Sequence, residues 1–290
     1  MGDVLAGFHA AWEFESDSVL IRFERGIRTP RLFQALGERR VPLEAITEVT
    51  VSAGRRGTVV LHARPRPGAD PLMEAADGQL KESDDPYRLV LPADRERLAE
   101  YYASELRLLL GDDTPAERFL VAPPEAPMQF KAYDGKASFD GKAVAFRWSS
   151  TGASSAKWKA GDQNFPVADL GGVQWRSPQG VEGHLRLLRR EPACGARPAP
   201  PDQDPAAVVF GLGYGSVHES LPFAAAVLAA VRPTGPGPAP AVPAPVTVPA
   251  PRRDPADIAE RIRHLGELHE AGLVTDEEFA SKKAELLAEL

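Results

Sequence analysis

The sequence predicts a mainly β protein with α-helices. It reads as two tandem modules, each a strand meander closed by one helix, then a proline-rich linker and a C-terminal helical hairpin. Three observations carry this. The chain repeats itself: Phe139–Trp148 (FDGKAVAFRW) restates Phe14–Phe23 (FESDSVLIRF), and later landmarks return in the same order. Val41–Ile46 returns as Phe165–Leu170, Gly57–Leu61 as Gly183–Leu187, and Asp85-Pro86 before an apolar run as Asp204-Pro205. Within each copy the apolar period is two, then changes to three and four. After the second copy, proline takes over the composition.

In the first module (6–111), Trp12, Phe14, Val19, Ile21 and Phe23 alternate with polar residues, the pattern of half-buried strands. Glu15-Ser16-Asp17-Ser18 supplies the turn between them. Leu32–Leu36 is a short apolar segment before a Gly37 turn. Pro42–Val51 reads as a strand after a bend, and Thr58–Ala63 as a β-branched strand. Pro65–Ser83, rich in Pro, Gly and acid, reads as a long surface loop before a last strand at Tyr87–Leu91. A helix follows, capped by Asp94 and ended by Gly111. Leu98, Tyr101, Tyr102, Leu106, Leu109 and Leu110 share its expected apolar face.

The second module (128–232) repeats the plan. Strands are expected at Phe139, Val144–Trp148, Leu170–Trp175, His184–Leu188 and Ala206–Phe210. Thr151–Ala160 replaces the first module's inter-strand segment with small and basic residues, and Glu191–Gln203 is a proline-rich loop. Ser216–Val231 is the closing helix, with Pro222 set to delay or bend its first half. The two modules are expected to fuse into one body in pseudo-twofold fashion.

The linker, 233–253 (PTGPGPAPAVPAPVTVPAP at its centre), favours extended polyproline II and acts as a spacer. In 254–290, Asp254-Pro255 is an N-cap followed by an N1 proline, and Thr275-Asp276-Glu277-Glu278 opens a second helix as a capping box. Ile258, Ile262, Leu265 and Leu268 line the first helix; Phe279, Leu286, Leu287 and Leu290 line the second. So short a hairpin cannot sustain its own core, so Ile258, Ile262, Leu265, Leu268, Phe279, Leu286 and Leu290 are candidates for an oligomer or partner interface.

Six or seven strands and a C-terminal helix are the plan of pleckstrin-homology-like domains, in which a helix plugs one end of a half-open barrel. The tail also resembles the bacterial short C-terminal domain, known as SHOCT. The match rests on Leu265, Leu268, Ala271–Thr275, Glu277-Glu278-Phe279, Lys282-Lys283 and Leu286-Leu287. That resemblance implies oligomerisation or attachment without catalysis. The tandem body resembles an actinobacterial family, domain of unknown function 4429, through Phe139-Asp140-Gly141, Val173-Gln174-Trp175 and Val208-Val209-Phe210. The first module departs, with Val49-Thr50-Val51 where Val-Gln-Trp is the pattern. This resemblance implies architecture and carries over no catalytic residue.

Composition bounds the function. The chain has 290 residues, 43% hydrophobic and 26% charged, ordinary values for a soluble protein. One cysteine, Cys194, cannot form an internal disulfide, and its Pro/Gly/Arg surroundings place no base beside it. A first segment without a basic start and long apolar core, and no long uncharged apolar run, lead to an expected cytoplasmic location. The net charge of −7 hides an asymmetry. Arg22–Arg66 carries ten arginines against four glutamates, whereas Asp70–Glu117 carries thirteen acids against five bases. The first stretch offers a candidate anion patch at Arg22, Arg39, Arg40, Arg55 and Arg56 for phosphate or anionic lipid headgroups.

Catalytic and cofactor patterns do not assemble. Gly211-Leu212-Gly213-Tyr214-Gly215 lacks the spacing of a dinucleotide loop, and no further strand completes a βαβ unit, so it reads as a tight strand-to-helix turn. His264 and His269 are five apart and fall on different helical faces, unlike a zinc pair. No Ser elbow or paired carboxylates stand out, and the acids of Asp70–Asp85 read as solvated. His62 and His184 occupy neighbouring positions of one repeated strand. Trp12, Phe14, Phe23, Trp148 and Trp175 read as core, which with pI 5.5 argues against nucleic acid. The expectation is therefore a non-enzymatic scaffold with no cofactor and no metal. Its hairpin would join copies of the chain or dock another protein. The alternative is a peripheral module whose basic first repeat meets anionic lipid or phosphate.

Overall fold

The computed structural model describes residues 3–111, 113–180, 182–190 and 199–232. The chain divides into two units, Met1–Gly235 and Pro236–Leu290, and every described residue belongs to the first. The linker, the hairpin with all seven interface candidates, and Cys194 lie outside the described residues.

Each module contains two antiparallel sheets. In the first, β1 (Asp3–Ala6), β2 (Ala10–Phe14), β3 (Ser18–Phe23) and β4 (Glu38–Pro42) pair in that order. A short helix α1 (Arg31–Leu36) fills the β3–β4 connection. A 3-10 turn at Leu43–Ala45 leads to the second sheet, β5 (Ile46–Ala53), β6 (Thr58–Pro65) and β7 (Arg88–Pro92). Helix α2 (Pro71–Ala76) sits between β6 and β7, and α3 (Glu96–Leu109) closes the module. The second module repeats this. It has β8 (Met128–Lys131), β9 (Gly135–Phe139), β10 (Ala143–Trp148), α4 (Ser155–Ala160) and β11 (Gln163–Pro166). Then come β12 (Leu170–Arg176), β13 (His184–Arg189), β14 (Ala207–Val209) and α5 (Val217–Val231).

The duplication extends to irregularities. The β5–β6 ladder shifts register between Ile46 and Glu48, and the β12–β13 ladder shifts between Leu170 and Gly172, the same place in each copy. The repeated Asp-Pro landmark also gains a physical reason. Asp85 accepts the Tyr87 N–H at 2.9 Å and reaches His62 Nε2 at 3.2 Å. Asp204 accepts the Ala206 N–H at 2.8 Å and pairs with Arg186 at 3.0 Å. Each aspartate thus ends the long connection and ties the last strand to its neighbour. The shared ladder makes His62 the counterpart of Arg186 and His184 the counterpart of Val60, so the two histidines stand two positions apart in the repeated strand.

Helix α5 decides how the modules meet. Leu221, Phe223, Ala224, Ala225, Ala226 and Val227 are all buried. A helix apolar on every side must be covered on every side. One side plugs its own module: Phe223 packs edge-on against Phe130 at 5.0 Å, and Ser220 Oγ accepts Trp175 Nε1–H at 3.0 Å. The other side is covered by α1 and α2 of the first module, so Leu32, Leu72, Ala75 and Ala76 belong to the second module's core. Polar contacts seal the seam. Gln79 donates to Trp175 O at 3.1 Å and accepts from Ser177 N at 3.1 Å. Arg232 forks onto Glu74 at 2.9 and 3.2 Å and lies 4.5 Å from the Phe119 ring centroid.

Several expectations are corrected. The Pro65–Ser83 stretch contains α2, because Asp70 caps Leu72 N–H at 2.8 Å, Pro71 starts the helix, and α5 supplies an apolar surface to cover. Strands β1, β4, β8 and β11 go beyond the expected set; each is only four or five residues long. The buried face of α3 is Ala99, Ala103 and Leu106, whereas Leu98, Tyr101 and Leu109 stand exposed. Small alanines let the helix approach the sheet closely. Asp94 lies in a 3-10 turn ahead of α3, and the helix ends at Leu110 in extended conformation rather than on Gly111. Pro222 neither delays nor stops α5. The packing is not twofold, since α5 bridges the modules while α3 packs on β5 and β6 of its own module.

Because the seam is part of a core, the described unit should unfold in one transition. Leu72→Ala, at a fully buried seam position, should lower the unfolding free energy by about 2–5 kcal/mol. Urea unfolding read by tryptophan fluorescence checks both. Two separable transitions would show that the seam is not cohesive.

Candidate functional site

The side chains with the most unusual chemistry gather at the β8–β9 hairpin end of the second module. Their anchor is a buried ion pair. Lys157, the third residue of α4, is wholly inaccessible, and its Nζ donates to Asp134 Oδ2 in the hairpin turn. Asp134 Oδ1 accepts the Val209 N–H at 2.9 Å. Lys157 Nζ also lies 5.0 Å from the Trp148 ring centroid, within cation–π range. Burial lowers the Lys157 pKa, and the hydrogen bond and charge of Asp134 oppose that shift. The pair thus fixes α4 and the hairpin to each other.

The first module solves the same packing problem differently. The ladders match Ala10 with Gly135 and Phe23 with Trp148, so His9 stands where Asp134 does. Each short helix is followed by a positive-φ glycine, Gly37 or Gly161, which sets Phe33 at the place of Lys157. Phe23 and Phe33 stack at 4.7 Å. An apolar stack in one copy is therefore a cation over an indole, held by an aspartate, in the other. No periodicity marks Lys157 as buried, which is why sequence reading missed it.

Around this anchor the surface is basic and partly apolar. Lys131 pairs with Lys136 across β8–β9, and Lys136 with Arg147 across β9–β10, so three cations stand directly opposite one another on one sheet face. Among the described residues none of them has an ion pair. Asp162, just before β11, spends Oδ1 on the Trp148 N–H at 3.2 Å. Gly215 N–H donates to Lys131 O at 2.8 Å, which brings the glycine loop beside the hairpin. In that loop Tyr214 N–H returns to Gly211 O at 2.9 Å with Gly213 at φ 80°, a tight turn that leaves Leu212 fully exposed. A Cβ at Gly211 would stand 3.1 Å from the Tyr133 side chain, a tight contact that glycine avoids.

The five arginines of the sequence-derived anion patch fare differently. Arg39 points inward and is buried, donating to Asp70 at 2.8 Å. Tyr87 O–H donates to the other Asp70 oxygen at 2.7 Å. Burial would lower the Arg39 pKa, but Asp70 and then Tyr87 outweigh it and raise it; burial and Asp70 push Tyr87 well above its usual range. This triad holds α2 onto the sheets. Arg22 is paired with Glu13 and approaches Glu38 at 3.8 Å. Arg40 is paired with Glu15 and donates to Ser18 Oγ at 3.1 Å. Arg55 and Arg56 are exposed in the β5–β6 turn of the other sheet. The structure does not bring the five together as one free cationic surface.

Among the described residues no group of three or more His, Cys, Asp or Glu is placed to hold a metal ion, and no helix is long and apolar enough to cross a membrane. A cleft of about 410 Å³ runs along the seam, lined by Arg31, Asp84, Gln179, the glycine loop and His218.

The model of Domain of unknown function (DUF4429) matches twice, over residues 12–107 and 137–228. The chain belongs to this family. The model of the Short C-terminal domain (SHOCT) matches residues 260–287. No curated protein matches the chain. In this DUF4429 protein one family match falls on each structural module, beginning after β1 and β8, and the repeated Asp85 and Asp204 pairs lie within them.

Two outcomes follow from the buried groups. Asp134→Ala leaves Lys157 charged and unpaired, and should destabilise by about 3–5 kcal/mol. The double variant Asp134→Ala/Lys157→Met should recover most of that loss in chemical denaturation. His184 is 8% exposed, with Nδ1 at 2.7 Å from Glu182 O and no partner for Nε2. Burial lowers its pKa, so the unfolded state takes up its proton first as pH falls below about 6.5. Stability should fall with acidification through that window. His184→Val, which installs the first module's residue, should reduce the fall of the urea midpoint between neutral and mildly acidic pH, the remainder coming in part from His218, whose pKa burial also lowers.

Proposed function

We propose that this DUF4429 protein is a non-enzymatic scaffold, in which the short C-terminal domain joins copies of the chain or docks a partner protein. The observation that carries this reading is the tail itself. Residues 260–287 match a family model, and Ile258, Ile262, Leu265, Leu268, Phe279, Leu286 and Leu290 form apolar stripes on a segment too short to cover them. A single cohesive body supports the reading, because a seam shared with a core presents two modules in fixed register. We read each module as a pleckstrin-homology-like half-open barrel with α3 or α5 as its plug. The polyproline stretch then acts as a spacer that raises the local concentration of modules around a joined set of tails.

Light scattering of the full chain against a chain ending at Arg253 tests this. The full chain should have an assembly mass above one copy, or retain a partner in pull-down, and the shortened chain should lose it. An unchanged mass and partner set would refute the scaffold reading. Leu265→Asp/Leu268→Asp should reproduce the loss without shortening the chain.

A further inference from the structure

We infer that the hairpin end of the second module is a docking surface for an anionic lipid bilayer. The first argument is the cation row. Like charges placed directly opposite in a sheet repel, so the row costs the fold stability and contributes nothing to its packing. The first module shows the paired solution at the equivalent row: Ala6, Ala11, Arg22 and Glu38, with the single arginine neutralised by Glu13 and Glu38. The second module has Lys131, Lys136 and Arg147 there, all exposed, with Asp162 at the place of Glu38; Asp162 Oδ1 accepts the Trp148 N–H, and no ion pair joins it to the three cations.

The second argument is what stands beside the cations. Of the large hydrophobic side chains that the described surface exposes, Tyr133 (54%), Tyr214 (44%) and Leu212 (102%) gather at this hairpin and its glycine loop. Tyr133 lies in the turn between Lys131 and Lys136, and its ring meets Tyr214 edge-on at 6.5 Å. Trp158 (62%) follows Lys157 on α4, which the buried pair ties to the same turn. Amphipathic rings and a projecting leucine suit the interface of a bilayer, and flanking basic side chains suit its phosphates. A soluble acidic protein would be served by the cations alone; the bare leucine gains only where it enters an apolar layer. The Lys157–Asp134 pair keeps these groups in one orientation.

The test uses the full chain in co-sedimentation with phosphatidylcholine–phosphatidylglycerol vesicles, with pure phosphatidylcholine vesicles as control. Binding should require phosphatidylglycerol and weaken with added salt. Lys131→Ala/Lys136→Ala/Arg147→Ala should reduce affinity by about fivefold per cation, on the order of a hundredfold together. Leu212→Ser should reduce it by about tenfold. Arg22→Ala/Arg40→Ala should leave it unchanged. The triple variant removes exposed, mutually repelling charges, so its thermal midpoint should not fall, and lost binding cannot be ascribed to unfolding. No sedimentation with the mixed vesicles overturns the inference, as does binding that survives the triple substitution. Equal competition by inorganic phosphate would also overturn it, since that identifies a free phosphate site rather than a bilayer. The tail-dependent assembly mass is read separately, so failure here leaves the scaffold reading standing.

Discussion

Helix α5 is the constraint on which the rest of the described unit depends. Its first duty, shared with α3, is to plug the module that precedes it. Its second duty has no counterpart in the first module. Where α3 shows Glu100, Ser104 and Glu105 to solvent, α5 has a further buried surface at Leu221, Ala225 and Ala226. Burial of such surface contributes about 25 cal/mol per Å², and among the described residues α1 and α2 of the first module supply the cover. The seam, the burial of α2, the Gln79 bridge and the Arg232 fork follow from that one requirement.

A duplicated scaffold also separates what the fold needs from what each copy does. Both copies keep the register shift in the fifth strand, the aspartate that ends the long connection, and a glycine after the short helix. These are backbone problems with few solutions. At side-chain positions the copies part. Phe33 on Phe23 becomes Lys157 over Trp148, and a single neutralised Arg22 becomes a row of three cations. A packed apolar stack contributes cohesion with no polar obligation, whereas a buried lysine requires Asp134 and gives back orientation more than stability.

The structure also redistributes the charge read from composition. The arginine-rich stretch of the first module is largely absorbed: Arg39 inside the fold with Asp70 and Tyr87, Arg22 and Arg40 beside glutamates. The free cationic row lies in the second module, whose linear sequence is less conspicuous. Local counts cannot see this, because neutralisation depends on the strand opposite and not on the residue next in line.

By itself the sequence determined the duplication, the strand meander, the closing helices, the strand-to-helix turn at Gly211–Gly215, membership of the DUF4429 family, and the likeness of the tail to the short C-terminal domain. Those features are written in period, turn residues and motif spacing, all local quantities. Only the tertiary structure decided that α2 is a buried helix, that Ala99 and Ala103 join Leu106 against the sheet while Leu98, Tyr101 and Leu109 stand exposed, and that the packing is not twofold. It alone decided that Lys157 is inside and that Lys131, Lys136 and Arg147 stand in one row. Each of these is set by what lies across a sheet or a seam, and such partners are distant in sequence.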